Sequence, residues 1–465
     1  MPLRDLVAAA IVFGFLPASF RNPFIGLLVF TWLAYMRIQD LCWGFARQMR
    51  FSYIVAIVMI AGLVLNERKR PFARLDLRTA LMVALVVLTL LSVLQGYKLD
   101  GHTWQRYLEF VKIVIIALVT TGLTDSKRRL DQLVLVIALS LGFFGFKGGI
   151  FVILSGGSPI LRGPGGMMED NNDFALALVM AVPMLYYLGL GQQIKWRRWA
   201  FHTAAFLNCI TILLTHSRGG FLALAATLAV IGWRSKRRGT AFGLAIAGVV
   251  LFLLLTPAHV LERLSTMRTY HKDASAMGRI IAWRAAMGMV TVHPFFGVGM
   301  TSFQKAWLTN RSFWVEGVKP HAEARVAHNS YLQIWAETGT PAFLCYGLLL
   351  FSSFYVLRRM RLDSRRGRAP PWVENYARMM EASLTGFLVG AFFLNRGHFD
   401  LVYQILAIVT VIFFLVRKEN RAGTRPEAAA PSSRPPPARP RPGFSGAAGG
   451  EWPLRPDPGS LYKRP

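Results

Sequence analysis

The chain has 465 residues, 54% of them hydrophobic and 17% charged, and a formal net charge of +29. So much apolar sequence, gathered in helix-length blocks, excludes a soluble globular protein and a barrel, and predicts an all-α polytopic membrane protein embedded in a lipid bilayer. The basic residues form no stripe on a soluble domain, which argues against nucleic acid as a partner; clusters such as Arg68 to Arg78 and Arg234 to Arg238 fall between apolar blocks, where the positive-inside rule places cytoplasmic loops.

Residues 5–20 and 23–36 are apolar and parted only by Arg21-Asn22, which fits two spans or a broken hairpin. The start of the chain, with Arg4 and no small-residue cleavage site, reads as a retained first helix. Spans follow at about 51–65, 78–96, 107–123 and 131–155, with basic inner loops at 66–77 and 124–130, so Tyr97 to Trp104 and Ser155 to Asn172 belong outside. The second of these outer segments is rich in turn formers and carboxamides, and Asn171 and Asn172 are candidates to touch a polar ligand; the plainer alternative is a connector whose Asp and Asn residues cap the helix beginning near Phe174. The spacing of Glu169, Asp170 and Asp173 fits neither an EF-hand loop nor a diphosphate-metal pair, so no metal is expected. Cys42, Cys209 and Cys345 are scattered in or beside apolar blocks and imply no disulfide or metal set.

Spans at about 174–190 and 199–215 flank the basic turn Lys195-Trp-Arg-Arg198, and the next turn, Thr215-His216-Ser217-Arg218-Gly219-Gly220, leads into a segment returning to Arg234. Loop charge therefore puts Arg218 outside, in a turn too short to carry it far from the bilayer. A guanidinium held at membrane depth costs about 2.5–3.5 kcal/mol, so it marks a ligand or a structural ion pair.

A further span at about 240–256 delivers the chain to its longest outer segment, residues 257–327. Within it Ser275 to Val290 reads as an amphipathic helix with Arg279 and Trp283 four residues apart on one face, ending before His293-Pro294. A tight aromatic turn, Phe295 to Phe303, follows and suits the membrane surface.

Next, Arg325-Val-Ala-His328-Asn329-Ser330 leads from a polar loop into an apolar helix. Asn329 or Ser330 can cap it, and Ser330 with Gln333 reads as a capping box, which sets His328 at the positive end of the helix dipole. That end disfavours imidazolium and favours bound phosphate, so a neutral, base-competent histidine is expected there; the alternative is an interfacial histidine that satisfies backbone carbonyls. His216 and His321 are weaker candidate bases because neither stands at so clear a helix start. This helix runs inward to about Leu357, and spans at about 378–394 and 401–416 complete a bundle of about 12–13. Residues 418–465 turn basic and rich in Pro, Ala and Gly, a disordered cytoplasmic tail. The organisation is thus N-terminal transmembrane helices over 1–256, an outer loop over 257–327, C-terminal transmembrane helices over 328–417, and the tail.

Arg218-x-x-x-Leu222 preceded by Ser217, and His328-Asn329 followed after nine residues by Gly339, resemble two short motifs of the bacterial O-antigen ligase family. Gly278-Arg279 with Trp283, then Pro294 and Gly297-x-Gly299, resembles the pattern between them. The resemblance covers roughly residues 170–400, with one departure, Ala342 where the family motif expects Gly, Thr or Tyr. The run from Met1 to Phe24 and the Gly163 to Asn172 loop resemble a narrower branch, the O-glycosylation ligases that accompany exosortase systems.

That resemblance implies a GT-C-like bundle in the bacterial inner membrane, without cofactor or metal, which transfers a glycan from undecaprenyl diphosphate to an acceptor hydroxyl at the periplasmic face. It assigns His328 as the base and Arg218 and Arg279, with Arg325 third, as diphosphate ligands. Trp283, Asn329 and Trp335 join Asn171 and Asn172 as candidate glycan or acceptor contacts, although interfacial tryptophans more often form the membrane belt. Two other readings are weighed against it: a polymerase of the same superfamily, and a transporter or flippase. The latter predicts paired acidic residues or glycine-broken helices near the midplane and an internal repeat; the apolar blocks hold few acidic residues, Glu109 and Glu381 being the clearest and both near ends, and no repeat is visible.

Overall fold

The structure, a computed structural model, describes residues 3–67, 71–97, 99–235, 274–313 and 326–423. The expected span at 240–256, most of the outer loop with His321 and Arg325, and nearly all of the tail lie outside the described residues. Met1–Arg421 forms one unit and Ala422–Pro465 another, of which only the last residues of a helix are described.

Among the described residues the regular structure is helical. The helices are α1 (Leu3–Arg21), α2 (Pro23–Met36), α3 (Phe51–Asn66), α4 (Leu77–Gln95), α5 (Gly101–Leu123), α6 (Lys127–Leu154), α7 (Asn171–Leu190), α8 (Lys195–Leu214), α9 (Arg218–Arg234), α10 (Ala274–Val292), α11 (Phe303–Thr309), α12 (Ser330–Arg365), α13 (Trp372–Ala391) and α14 (Asp400–Gly423). By length and composition, six of the described helices are able to cross a membrane: Leu3–Arg21, Leu77–Gln95, Lys127–Leu154, Asn171–Leu190, Ser330–Arg365 and Asp400–Arg421. Pro23–Met36 and Phe51–Asn66 are shorter apolar helices. The protein is therefore a helical, multi-pass membrane protein. The expected 12–13 spans also count α5, α8, α9 and α13, which fall outside this set; charged residues such as Glu109 and Lys112, or Lys195 to Arg198, lower their apolarity.

The polar starts of these helices are what anchor them. Asp76 caps α4 in a reciprocal capping box with Thr79, Asp100 caps α5, Ser126 caps α6, and each satisfies backbone N–H groups that a membrane environment would leave exposed. The helices α7 and α14 lie in the middle: every residue from Phe174 to Leu185 and from Leu401 to Ile412 is buried. Around α7 pack α6, α8 and α13.

The N-terminal question resolves into two helices broken at Asn22, whose side chain caps α2 ahead of Pro23. They form a hairpin. The Asp5 carboxylate accepts from Gly44 N at 3.0 Å and Ala46 N at 2.9 Å, while at the other end Asn66 Nδ2 donates to Phe20 O at 2.7 Å. The start of α1 thus lies at the same end as the segment that follows α2.

The two ends of the bundle differ in chemistry. At one, arginines of α9, α12 and α13 surround carboxylates: Arg361 lies 3.3 Å from Glu381, Arg365 2.5 Å and Arg378 2.6 Å from Glu374, and Arg234 also pairs with Glu381. At the other, the turns after α4, α6, α8 and α13 meet the Pro294–Thr301 turn and the start of α12: Tyr97 N donates to Val298 O at 2.9 Å, Ile160 N to Leu214 O at 2.9 Å, and the Thr103 and Thr301 hydroxyls stand 2.7 Å apart.

One expectation is corrected here. The helix that starts at Ser330 does not run straight inward; it breaks at Gly339 (φ 82°, ψ 174°), with Pro341 just beyond. The backbone groups that the break frees are taken by the turn after α10: Val298 N donates to Ala336 O and Gly299 N to Glu337 O, both at 2.9 Å, and Thr340 N donates to Pro294 O at 2.7 Å. Ser92 Oγ adds a 2.6 Å bond to Glu337 O. Irregular backbone at this depth survives only because protein groups replace water in this way. A Cβ on Gly339 would stand 2.1 Å from Phe295 O, besides being strained at positive φ. Gly339→Ala is therefore expected to cost more than the about 1–3 kcal/mol of a left-handed non-glycine residue. The check is a lower melting temperature of the purified protein relative to wild type; an unchanged one contradicts the break.

Candidate functional site

Three helix starts converge at the end away from the arginine–glutamate cluster. The helix α7 is capped by Asp170, α9 by Ser217 (Gly220 N to Ser217 Oγ, 3.0 Å), and α12 by Asn329, whose Oδ1 accepts from Tyr331 N at 3.0 Å and Leu332 N at 3.1 Å. Asn171 Nδ2 donates to Thr215 O at 2.7 Å, which ties the start of α7 to the turn before α9. Gly219 is apposed to Phe393, where an added Cβ would lie 2.9 Å from the phenylalanine Cβ. Ser330 Oγ donates to Leu394 O at 2.6 Å and accepts from Arg396 N at 2.7 Å, which binds α12 to the turn between α13 and α14. Three positive dipole ends facing one region favour an anion there.

The sequence candidates distribute as follows. Arg218 is the first residue of α9 and is exposed. His328 immediately precedes the α12 cap, is exposed, and adopts a left-handed backbone (φ 47°). It lies within electrostatic reach of Asp173 in the first turn of α7. Asn172 joins the α7 cap, its Nδ2 donating to Asp170 Oδ1 at 2.9 Å. Arg279 and Trp283 sit one turn apart on α10, as expected, and the Trp283 indole donates to Ala327 O at 2.9 Å while its ring meets Phe392 edge-on at 5.3 Å. The tryptophan thus holds the residue next to His328. Asn329 is buried, with its carboxamide oxygen committed to the cap. Trp335 lies further along α12, stacked on Phe343 at 4.7 Å with its indole donating to Thr340 Oγ1 at 2.9 Å.

The capping box expected from Ser330 and Gln333 is not formed. Asn329 is the cap, because Ser330 is buried against the α13–α14 turn and Gln333 Nε2 donates instead to Glu337 Oε2 at 3.3 Å.

Two residues beside the candidates escaped the sequence reading. Arg396, between α13 and α14, makes a two-pronged ion pair with the buried Asp173, Nε to Oδ1 at 2.6 Å and Nη2 to Oδ2. The signal was the one that singled out Arg218: an arginine in a short turn between apolar blocks, on the outer side by loop parity. Glu337 is the second, buried beneath the Thr301–Phe303 turn, with Oε1 accepting from Phe303 N at 3.4 Å. Beside this cluster lies a cavity of about 300 Å³, lined by residues of α5, α12 and the α13–α14 turn, whose wall includes Val326, Ala327 and Arg396 but not His328.

Arg218, His328 and the starts of α7, α9 and α12 thus lie at one end of the bundle. Residues 203–347 match the O-antigen ligase family (Wzy_C), and residues 3–189 match a family of unknown function (DUF5935). The stretch from 203 to 347, which holds Arg218, Arg279 and His328, is thus similar to the O-antigen ligase family. No curated protein matches the chain.

Proposed function

We propose that the protein is a periplasmic-face glycosyltransferase of the bacterial inner membrane that moves a glycan from undecaprenyl diphosphate to an acceptor hydroxyl. The observation that carries the reading is the convergence of the α7, α9 and α12 starts on the region of Arg218 and His328, within the stretch that the family match covers. The arginine-rich end of the bundle is then cytoplasmic by the positive-inside rule, and the site faces the periplasm. The N-terminal resemblance supports the O-glycosylation branch of the family.

Diphosphate is already a good leaving group, so the protein has mainly to neutralise its charge and orient the acceptor. Arg218 and Arg279, with Arg325 third, supply always-charged, fork-shaped donors. His328 takes the proton of the acceptor hydroxyl while its oxygen forms a bond to C1 and the C1–O bond to phosphate breaks. The electron pair leaves with undecaprenyl diphosphate. Attack from the face opposite that leaving group inverts the configuration at C1. The reaction as the family resemblance implies it needs no metal.

Arg218→Lys and Arg279→Lys test the grip on diphosphate. Lysine keeps the charge but loses the fork, and one charge-assisted hydrogen bond is worth about 1.5–3 kcal/mol, so each variant is expected to lose roughly 10- to 100-fold of transfer at normal membrane abundance. Full activity in both, assayed with lipid-linked oligosaccharide in proteoliposomes, places the diphosphate elsewhere. The same assay distinguishes a ligase from a polymerase, which extends its product in ladders on the lipid carrier.

A further inference from the structure

The cavity between α5 and α12 is chemically unlike the cluster beside it. Its arginines are already paired: Arg106 Nη1 lies 3.1 Å from Glu109 Oε2, and Arg396 is held by Asp173. His398 adds no charge, since burial pushes its imidazole down to about 4. A site without surplus positive charge has no preference for diphosphate. Nor does it suit an apolar chain alone, because Arg106, Glu109, Gln333 and Asn395 stand among its apolar residues, a mixture that fits a ligand with both polar and apolar faces.

Its hydrogen-bonding groups are partly used and partly offered. Asn395 Oδ1 accepts from Asn329 N at 3.2 Å, which turns the amide toward the α12 start and leaves its Nδ2 donors. Gln333 spends an Nε2 donor on Glu337 and keeps its carbonyl. The ring of Phe110, edge-on to His398 at 4.4 Å, supplies an apolar patch. Donors and acceptors in alternation around an aromatic edge match the hydroxyls and C–H faces of a sugar. A volume of about 300 Å³ is at the small end of ligand pockets and accommodates a compact ligand.

The cavity and the cationic cluster share a wall, Val326-Ala327 next to His328 and Asn395-Arg396 next to Ser330. We infer that this cavity is the subsite for the neutral sugar attached to the diphosphate, with Gln333, Asn395 and Arg106 as its recognition groups. The assignment rests on the proposed function, in that a sugar still bonded through C1 to the diphosphate must lie directly beside the anion, where this cavity borders the cluster.

Gln333→Ala and Arg106→Gln test it, the second at an exposed position where folding is not at stake. Binding of two ligands to the purified full chain is compared: undecaprenyl diphosphate alone, and the same lipid carrying a glycan whose first sugar is uncharged. Both variants are expected to keep the affinity for the bare lipid diphosphate within about twofold and to lose about tenfold for the glycan-bearing lipid, the worth of one hydrogen bond to a bound ligand. Equal losses for both ligands, or no loss for either, overturn the assignment. The free glycan at millimolar concentration gives an independent arm: it is expected to bind the wild type and not the variants. Absence of that binding also overturns the subsite, whereas failure of wild type to bind bare lipid diphosphate while the free glycan still binds overturns the diphosphate reading alone.

Discussion

Replacing His328 by alanine is expected to lower glycan transfer by about 10²- to 10⁴-fold, the usual contribution of a positioned general base, while the protein still inserts and lipid-linked precursor still accumulates. The size of the effect follows from how the residue is held. His328 precedes the Asn329 cap and adopts a left-handed backbone (φ 47°). Ala327 on one side is pinned by Trp283, and Asn329 on the other donates its backbone N–H to Asn395 Oδ1 at 3.2 Å. A histidine so placed is fixed at both neighbours. Its removal deletes the proton acceptor without disturbing the cap, so the loss should appear in kcat more than in the affinity for the lipid-linked donor. Comparable losses for His216→Ala with His328→Ala unaffected would move the base to the α8–α9 turn.

The second large effect belongs to Arg396. Its ion pair with Asp173 joins α7 to the α13–α14 turn over a sequence separation of 223 residues, and Asp173 is only 7% exposed. Removing one partner of a buried pair typically costs about 3–5 kcal/mol, because the remaining charge is left without compensation. Arg396→Gln is thus expected to lower the melting temperature sharply, and the double variant Arg396→Gln with Asp173→Asn to recover part of that loss. There is also a consequence for pH. In the wild type the guanidinium neutralises a carboxylate within electrostatic reach of His328; without it, an uncompensated Asp173 favours the imidazolium and raises the pH at which the histidine becomes neutral. A base must be neutral to accept a proton, so the acidic limb of the Arg396→Gln pH–rate profile should move to higher pH, and the double variant should move it back. A profile unchanged in position, with only its height reduced, would show that Arg396 acts through stability alone.

Much of the fold can be read directly from the residues. The segments α4, α7 and α10 are announced by apolar runs with an Asp in front, or by the Arg279–Trp283 spacing that ends before His293-Pro294, and each forms close to its expected bounds. Arg218 was legible because a charge in so short an outer turn has no cheap explanation. The break in α12 was not, since hydropathy runs unbroken across Gly339 and only the carbonyl of Phe295, brought from another segment, reveals why glycine is required. The same limit hid the pairing of Asp173 with Arg396, because a contact across 223 residues of sequence has no local signature. Asn329 and Ser330 were interchangeable as caps by residue type, and what separates them is the buried Leu394 carbonyl that claims the serine hydroxyl.

The most direct test is mass analysis of the product formed when purified protein in proteoliposomes is given undecaprenyl-diphosphate-linked glycan and an acceptor. The expected result is the glycan joined to an acceptor oxygen, an equal amount of undecaprenyl diphosphate set free, and both absent with His328→Ala. Transfer that persists at the wild-type rate in His328→Ala, or a wild-type protein that leaves the lipid-linked glycan intact with every acceptor hydroxyl offered, contradicts the account.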